Sequence, residues 1–234
     1  MNDKVSLPPS DIIRDFARVS PDVVQEAAKY AASILADVAG RRGTMHGRIA
    51  PLVRTMKLCG PAFTIEVRPG DNLMIHAAMS MAQPGDILVI DGKADQTCAL
   101  MGAIMVNGCM KTKLGGIVMD AAMRDYEELK DMGFPVFSVG TNPNGPTKYV
   151  PGRINHPISC GNMTVRPGDL VVGDADGVVV IEREKAASLL PLAVAKVADE
   201  RKRIADIQAG RNLRPGWLDG ALKAAGVLKE GETL

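Results

Sequence analysis

The sequence predicts an α/β fold, and three observations carry the prediction. First, from residue 62 onward, runs suited to strands (AFTIEV, DILVID, GGIVMD, PVFSV, MTV, DLVVGD, GVVVI) alternate with runs of helical pattern (NLMIHAAMSMA, ALMGAIMVNGCMKTK, DYEELKDMG). That is the order of βα units. Second, of 234 residues 46% are apolar but only 3% aromatic. The core therefore consists of Ala, Val, Ile, Leu and thirteen Met, a composition suited to helices packed on β-branched strands. Third, Pro-Gly-Asp occurs at 69–71, 84–86 and 167–169, with Pro then Gly where type II turns want them. The last two launch apolar strands, and the first offers Asp71 as a helix cap.

Taken in order, residues 10–18 and 21–40 carry helix-start chemistry: Ser10 precedes Asp11, and Ser20-Pro21-Asp22 sets an N-cap before proline at the first helical position. Gly40 and the GRRGTMHG stretch end the second of these helices. The chain divides into an N-terminal helical segment (1–60) packed on an α/β core (61–182), followed by C-terminal helices and a tail (183–234), all within a single domain. Within the core, residues 139–161 form a long loop rich in Gly, Pro and Asn with no helical or alternating pattern, the kind that often carries function. After Ile181 the pattern turns helical, with Pro191 dividing two helices and Gly210 as the stop.

Composition excludes several classes of function. Lys and Arg number 28 against 27 Asp and Glu, with no basic stripe and few stacking rings, so no nucleic-acid partner is expected. The widely spaced Cys59, Cys98, Cys109 and Cys160 form no C-x-x-C pair, which argues against a zinc cluster or disulfide framework. No secretory leader or membrane-length apolar run is present, so the expectation is a soluble cytoplasmic protein without a membrane partner. Phosphate-loop, dinucleotide, H-E-x-x-H and nucleophile-elbow motifs are missing. His46, His76 and His156 each read as locally satisfied rather than catalytic or metal-binding.

Three constellations remain. In GGIVMDAAMRDYEE (115–128) a buried-type strand ends in a carboxylate, Asp120, passes through small residues and delivers Arg124-Asp125 at the start of a helix, and ligand groups gather beyond the carboxyl ends of strands. Spacing alone favours a plainer reading, a capping box between Asp125 and Glu128. On the C-terminal helix, Ala193, Val197, Glu200, Ile204 and Ile207 share one stripe, which puts an acid amid apolar side chains. That acid is either paired internally with Arg203 or Arg201, exposed in a wet crevice, or placed against a neighbouring subunit. The run from Cys98 to Met105 reads as an apolar helix opening near Gly102, whose free amides can receive a carboxylate.

The segments PAFTI, PGDNLMIHAA (69–78), PGDILVID (84–91), GGIVMDAAMRD (115–125) and PGDLVVGDADGVVVI (167–181) resemble, in order and spacing, the RraA-like family. Within it they resemble the class II 4-hydroxy-4-methyl-2-oxoglutarate/4-carboxy-4-hydroxy-2-oxoadipate aldolases. The resemblance implies a three-layer β/β/α swivelling-domain core with N- and C-terminal helices. It also implies a trimer or dimer of trimers, with the C-terminal helices at the subunit interface. It assigns Asp125 as ligand of Mg2+ or Mn2+, Arg124 to the enolate charge, Glu200 as a catalytic carboxylate from an adjacent subunit that reaches a metal-bound water, and backbone amides near Gly102, Ala103 and Ile104 to a 2-oxo acid carboxylate. The implied reaction is retro-aldol cleavage or oxaloacetate decarboxylation releasing pyruvate, decarboxylation needing no base for a C4 hydroxyl. The sequence departs from the aldolases at Ala103, twenty-one positions before Arg124, where they carry an acid; Asp91, Asp95 and Asp120 are candidates to replace it. The alternative is the regulator branch of the family, which binds a ribonuclease without catalysis. A menaquinone-type methyltransferase is set aside, because no glycine-rich nucleotide fold for a methyl donor is visible.

Overall fold

The computed structural model describes residues 11–234. Helices α1 (Pro21–Ala27) and α2 (Ala32–Val38) precede β1 (Ala50–Pro51) and β2 (Leu58–Glu66). Then follow α3 (Leu73–Met79), β3 (Ile87–Met101), α4 (Ala103–Lys111), β4 (Gly116–Met123), α5 (Tyr126–Met132) and β5 (Val136–Thr141). Short strands β6 (Arg153–Ile154), β7 (Ile158–Cys160) and β8 (Met163–Val165) lead to β9 (Leu170–Asp174) and β10 (Gly177–Ile181). Helices α6 (Arg183–Gln208) and α7 (Leu218–Ala224) complete the order. One compact unit ends at Pro191 and a second runs Leu192–Leu234.

The main sheet runs β1-β5-β4-β3-β2-β9-β10, with β6 also on β2 and β7-β8 forming a separate hairpin. Strands β2, β3, β4 and β5 pair in parallel through the crossovers α3, α4 and α5, while β9 and β10 are antiparallel. Alternation along the parallel strands makes two cores, because successive side chains face opposite sides of a sheet. Phe63, Ile65, Leu88, Ile90, Ile117 and Met119 face the helices, joined by Ile75, Val106 and Leu129. Ala62, Ile87, Val89, Val118 and Phe137 face the other way, against Ile158, Val165, Val171 and Val178. The result is the expected β/β/α layering, with the parallel strands buried on both faces. Each fully buried Phe, Leu or Ile contributes about 1.5–3 kcal/mol relative to exposure.

Proline-glycine-aspartate is turn chemistry at all three places. Gly70, Gly85 and Gly168 have φ of +78°, +88° and +82°, the left-handed conformation a type II turn requires at its third residue. Asp86 and Asp169 are buried, and each accepts through Oδ2 from the amide three residues earlier, of Gln83 at 2.8 Å and Arg166 at 2.9 Å. Asp86 is also held by both nitrogens of an Arg18 fork, at 2.8 and 2.9 Å. Ser20 caps α1 through Oγ to the Val23 amide at 3.4 Å. Gly40 (φ +78°) and Gly210 (φ +72°) follow the ends of α2 and α6.

Four local expectations are corrected. Residues 11–18 do not form a helix. They run extended, with the Ile13 amide donating to the Ile154 carbonyl at 3.0 Å and the Val19 amide to Gly168 at 2.9 Å. Ile12 and Phe16 pack on the helix-side core, and those non-local contacts outweigh the local signal; Ser10 lies outside the described residues. The helical run from 21 to 40 breaks into two, and the Ala32 amide that opens α2 donates to Asp174 Oδ2 at 2.8 Å, a cap supplied from 142 positions away. Cys98–Met101 is strand rather than helix, because Ala99 and Met101 pair with Ala122 and Met123 of β4. Pro191 does not divide the C-terminal helix, since α6 is continuous through it; the Ala, Leu, Lys and Glu around it are strong helix formers that absorb one missing hydrogen bond. Among the described residues no helix is long and apolar enough to cross a membrane.

Candidate active site

A cleft of about 160 Å³ opens at the carboxyl ends of β3 and β4, where Met101-Gly102 and Arg124-Asp125 meet. Alpha helix α4 starts here, and the amides of its first turn have no acceptor within the helix. Gly102 is extended (φ −154°, ψ −166°) and precedes the helix without a side-chain cap. Asp125 stands before α5 in the left-handed region (φ +63°, ψ +42°) and makes no capping bond. The capping-box reading is therefore wrong: an N-cap needs extended backbone to aim its side chain at its own helix. Turned left-handed, Asp125 sends Oδ2 to the Ala103 amide at 2.9 Å, 22 residues back.

Gly102 permits this crossing. A Cβ there would lie 2.4 Å from Asp125 Oδ2 and 2.9 Å from Arg124 Cγ. A Cβ on Gly145 would lie 3.0 Å from Arg124 Nη1, so the arginine side chain lies between two glycines. Arg124 Nε and Asp125 Oδ2 are 3.9 Å apart, and their side chains are 42% and 39% exposed. The pair is loose enough to leave both groups available to a ligand.

The far wall comes from α3 and the glycine- and proline-rich loop. His76, Pro146 and Lys148 line it with Asn72. Asn72 Nδ2 donates to the Leu100 carbonyl at 2.8 Å, while its buried Oδ1 has no partner. Asp71, expected as a helix cap, does accept from the Leu73 amide at 2.9 Å through Oδ1. Its Oδ2 clamps the loop, accepting from Thr147 Oγ1 at 2.6 Å and from the amides of Tyr149 at 2.8 Å and Val150 at 3.2 Å. Burial would raise the Asp71 carboxyl, but the bonds from Thr147, Tyr149, Leu73 and Val150 outweigh it and hold the group below the usual carboxylate range.

Gly102, Ile104, Arg124 and Asp125 thus converge on one cleft, with Ala103 contributing the amide that Asp125 engages. Glu200 lies on α6 in the second unit, with its side chain 47% exposed and paired to Lys196 at 3.1 Å rather than to Arg201 or Arg203. None of the candidates for the missing acid lines the cleft. Asp120 is bound by the Arg48 fork at 2.9 and 2.8 Å and by the Gly161 amide. Asp91 pairs with Lys93 at 2.6 Å, and Asp95 Oδ1 accepts from Thr97 at 2.7 Å. Sequence reasoning singled out neither Asn72 nor Lys148 and set His76 aside as locally satisfied, whereas all three line the cleft; the signal available for Lys148 was its place in the long patternless loop.

A larger groove of about 630 Å³ lies elsewhere, near Arg42, Met163, Arg166 and Lys185. Its buried acid, Asp169, is engaged by the amides of Arg166 and Arg183, so it is part of the turn rather than a reacting group. The cysteines are free; burial pushes the thiols of Cys59 and Cys109 up to about 12 and raises Cys160 well above its usual range, so these three are poor nucleophiles at neutral pH.

The described residues hold no group of three or more His, Cys, Asp or Glu side chains able to share a metal, which does not suit zinc. The cleft offers one carboxylate, and no donor among the described residues engages its Oδ1. That donor set fits a hard divalent cation, which completes its shell with water and ligand oxygens.

Comparison with known proteins identifies the family. A family model described as RraA-like, Aldolase/RraA, matches residues 20–180. A Halalkalibacterium halodurans protein named "Putative 4-hydroxy-4-methyl-2-oxoglutarate aldolase" is 43% identical over 155 residues, 66% of this chain and 74% of its own. A Bacillus cereus protein of the same name is 31% identical over 144 residues, 62% of this chain and 82% of its own. Among solved structures, Streptomyces coelicolor RraAS2, described as an unusual member of the RNase ES inhibitor RraA protein family, shares the fold. Its TM-score is 0.74 at 24% identity, covering 81% of this chain and 98% of that one.

Proposed function

The chain belongs to the RraA-like family, and from that premise we propose that it is a divalent-metal-dependent carbon–carbon lyase that releases pyruvate from 2-oxo acids. The observation that carries this reading is the convergence of Arg124 and Asp125 on the opening of α4 across Gly102. Regulation by binding a ribonuclease requires neither an anion-receiving helix start nor a half-exposed carboxylate beside a half-exposed guanidinium.

Asp125 would hold Mg2+ or Mn2+, and the bound cation would supply Lewis-acid polarisation of the substrate's 2-oxo group. The remaining steps belong to the chain. The amides of Ile104 and Met105, at the positive end of α4, receive the C1 carboxylate, since the Ala103 amide is taken by Asp125. As the bond between C3 and C4 breaks, its electron pair moves onto the 2-oxo carbon skeleton. The fixed charge of Arg124 stabilises the resulting enolate, which takes a proton at C3 from water to leave as pyruvate. Retro-aldol cleavage also sheds the C4 hydroxyl proton, which Glu200 of an adjacent subunit takes through water; decarboxylation of an oxaloacetate-like substrate omits this transfer. The half-exposed Ile204 and Ile207 on the Glu200 stripe, 53% and 43% accessible, support an assembly such as a trimer or dimer of trimers.

The test is a coupled pyruvate-release assay with oxaloacetate and with 4-carboxy-4-hydroxy-2-oxoadipate, with and without magnesium, alongside Arg124→Ala and Asp125→Ala. Metal-dependent pyruvate lost in both variants supports the reading. No pyruvate from either substrate favours the binding-protein alternative.

A further inference from the structure

The chain contains two Asn-Gly pairs, Asn107-Gly108 and Asn144-Gly145. Such a pair is open to a reaction with itself, because glycine has no side chain to keep its amide nitrogen away from the asparagine side-chain carbonyl. The two pairs stand in opposite surroundings. Asn107-Gly108 lies inside α4, where the helical ladder occupies the glycine amide and Asn107 Nδ2 donates to the Ala103 carbonyl at 3.0 Å. Asn144-Gly145 lies in the irregular loop with both residues exposed, and no acceptor among the described residues engages the Gly145 amide.

Around that free amide the loop is fixed. The Asn144 amide donates to Asn142 Oδ1 at 2.8 Å, the Asn144 carbonyl accepts from the Ala99 amide at 2.8 Å, and Asn144 Nδ2 donates to the Thr97 carbonyl at 3.3 Å. A cation stands on the other side of the pair, since Arg124 Nη1 lies 3.0 Å from where a Gly145 Cβ would be. Its charge favours the negative charge that develops on the glycine nitrogen as it attacks. Nucleophile, electrophile and stabilising charge therefore meet at one wall of the cleft.

We propose that Asn144 is a self-modification site, converted to isoaspartate and aspartate with help from Arg124, and that the conversion loosens the wall on which Arg124 rests. The Gly145 nitrogen gives its proton to water and bonds to Asn144 Cγ, and the Cγ–Nδ2 bond breaks to release ammonia. Water then opens the five-membered imide at either carbonyl. Opening at the former backbone carbonyl routes the chain through Cγ and lengthens it by one methylene. In sum, one water enters and one ammonia leaves, without oxidation. Either product removes the Nδ2 donor to Thr97 and adds a carboxylate beside the residue that abuts the guanidinium, and isoaspartate also shifts Gly145 relative to its anchor at Ala99. The modification stands apart from the lyase reading, whereas its effect on turnover rests on that reading.

Peptide mass mapping of the full-length protein during incubation at mildly alkaline pH tests this, with isoaspartate read by enzymatic methylation. Conversion at Asn144 is expected to run at least about tenfold faster than at Asn107, whose glycine amide is freed only when the helix opens. Arg124→Met should slow it about tenfold, and Arg124→Lys, which keeps the charge, should preserve most of the rate. In converted protein the Ala99 amide should exchange with solvent at least about tenfold faster, and metal-dependent pyruvate release should fall in step with the isoaspartate fraction. Asn144→Gln, which would have to close a larger ring, should keep its mass and its Ala99 protection throughout. Conversion no faster at Asn144 than at Asn107, a rate unchanged by Arg124→Met, or unaltered Ala99 exchange in converted protein overturns the proposal. Conversion and exchange as expected, without pyruvate from any substrate before incubation, would support the modification and refute the lyase reading alone.

Discussion

Replacing Gly102 with alanine perturbs the site at the point where its geometry depends on a single missing carbon. The backbone there is extended (φ −154°, ψ −166°), so alanine introduces no backbone strain and the effect is steric alone. The new Cβ would sit 2.4 Å from Asp125 Oδ2, 2.9 Å from Arg124 Cγ and 3.2 Å from Arg124 Nε. A carbon–oxygen contact relaxes at about 3.3 Å or more, so the carboxylate must retreat by roughly 1 Å. That retreat breaks its 2.9 Å bond to the Ala103 amide and displaces the arginine beside it. Misplacement by about 1 Å costs on the order of 10²-fold in rate, or about 2.7 kcal/mol of transition-state stabilisation. The lost hydrogen bond contributes about 1 kcal/mol to folding, because Asp125 is partly solvated, which lowers Tm by about 2–4 °C. The assay is metal-dependent pyruvate release together with a thermal melt. Gly145→Ala is the control: its Cβ would lie 3.0 Å from Arg124 Nη1, the far end of a flexible side chain, and should cost less than about fivefold. A Gly102→Ala enzyme with wild-type kcat/KM would refute the argument that the Asp125–Ala103 contact organises the site.

Other perturbations read other parts of the structure. In Asp120, burial favours the neutral acid, but the Arg48 fork and the Gly161 amide outweigh it and hold the carboxyl below its usual range. This pairing therefore stabilises the fold above the unfolded carboxyl pKa and is lost as pH falls through the lower folded value. Arg48→Met leaves the acid buried without its cation and should destabilise by about 3–5 kcal/mol at neutral pH. Denaturant titrations should show that deficit shrinking toward acidic pH, where Asp120 protonates; a deficit independent of pH would contradict the assignment. Asp71→Ala strips acceptors from Thr147, Tyr149, Val150 and Leu73 and should cost about 3 kcal/mol. Protease cleavage between 147 and 150 should become faster, and unchanged cleavage would show that the loop does not depend on the clamp. Ala103→Asp restores a carboxylate at the first position of α4; retro-aldol turnover should rise, and an unchanged rate would mean that the missing acid is not limiting. Because Ala103 is only 4% exposed, the same variant should also lose some thermal stability.

Much of the fold was legible because its signals are local. Alternating apolar runs became the parallel strands, Pro-Gly-Asp became turns with glycine at positive φ, Ser20 capped α1, and Gly40 and Gly210 followed helix ends. Arg124-Asp125 could likewise be placed past a buried strand, because strand and helix patterns abut there. The departures share one physical cause. Backbone donors and carboxylate acceptors choose partners by distance in space, and several of these partners lie far away in sequence. Residues 11–18 traded a local cap for pairing with Ile154, and α2 took its cap from Asp174. Asp125 turned away from its own helix toward the amide of Ala103.

By itself, then, the sequence determined most of the core strands and helices, where most turns fall, and which two charged residues follow the β4 strand. Only the tertiary structure decided that Asp125 does not cap α5, that Gly102 is the residue that lets its carboxylate reach α4, and that Asp71 carries Lys148 to the same cleft from a loop 77 positions further along. A periodicity reports how a residue faces its neighbours three or four positions away, whereas a site is made where distant segments approach closely enough for one absent Cβ to matter.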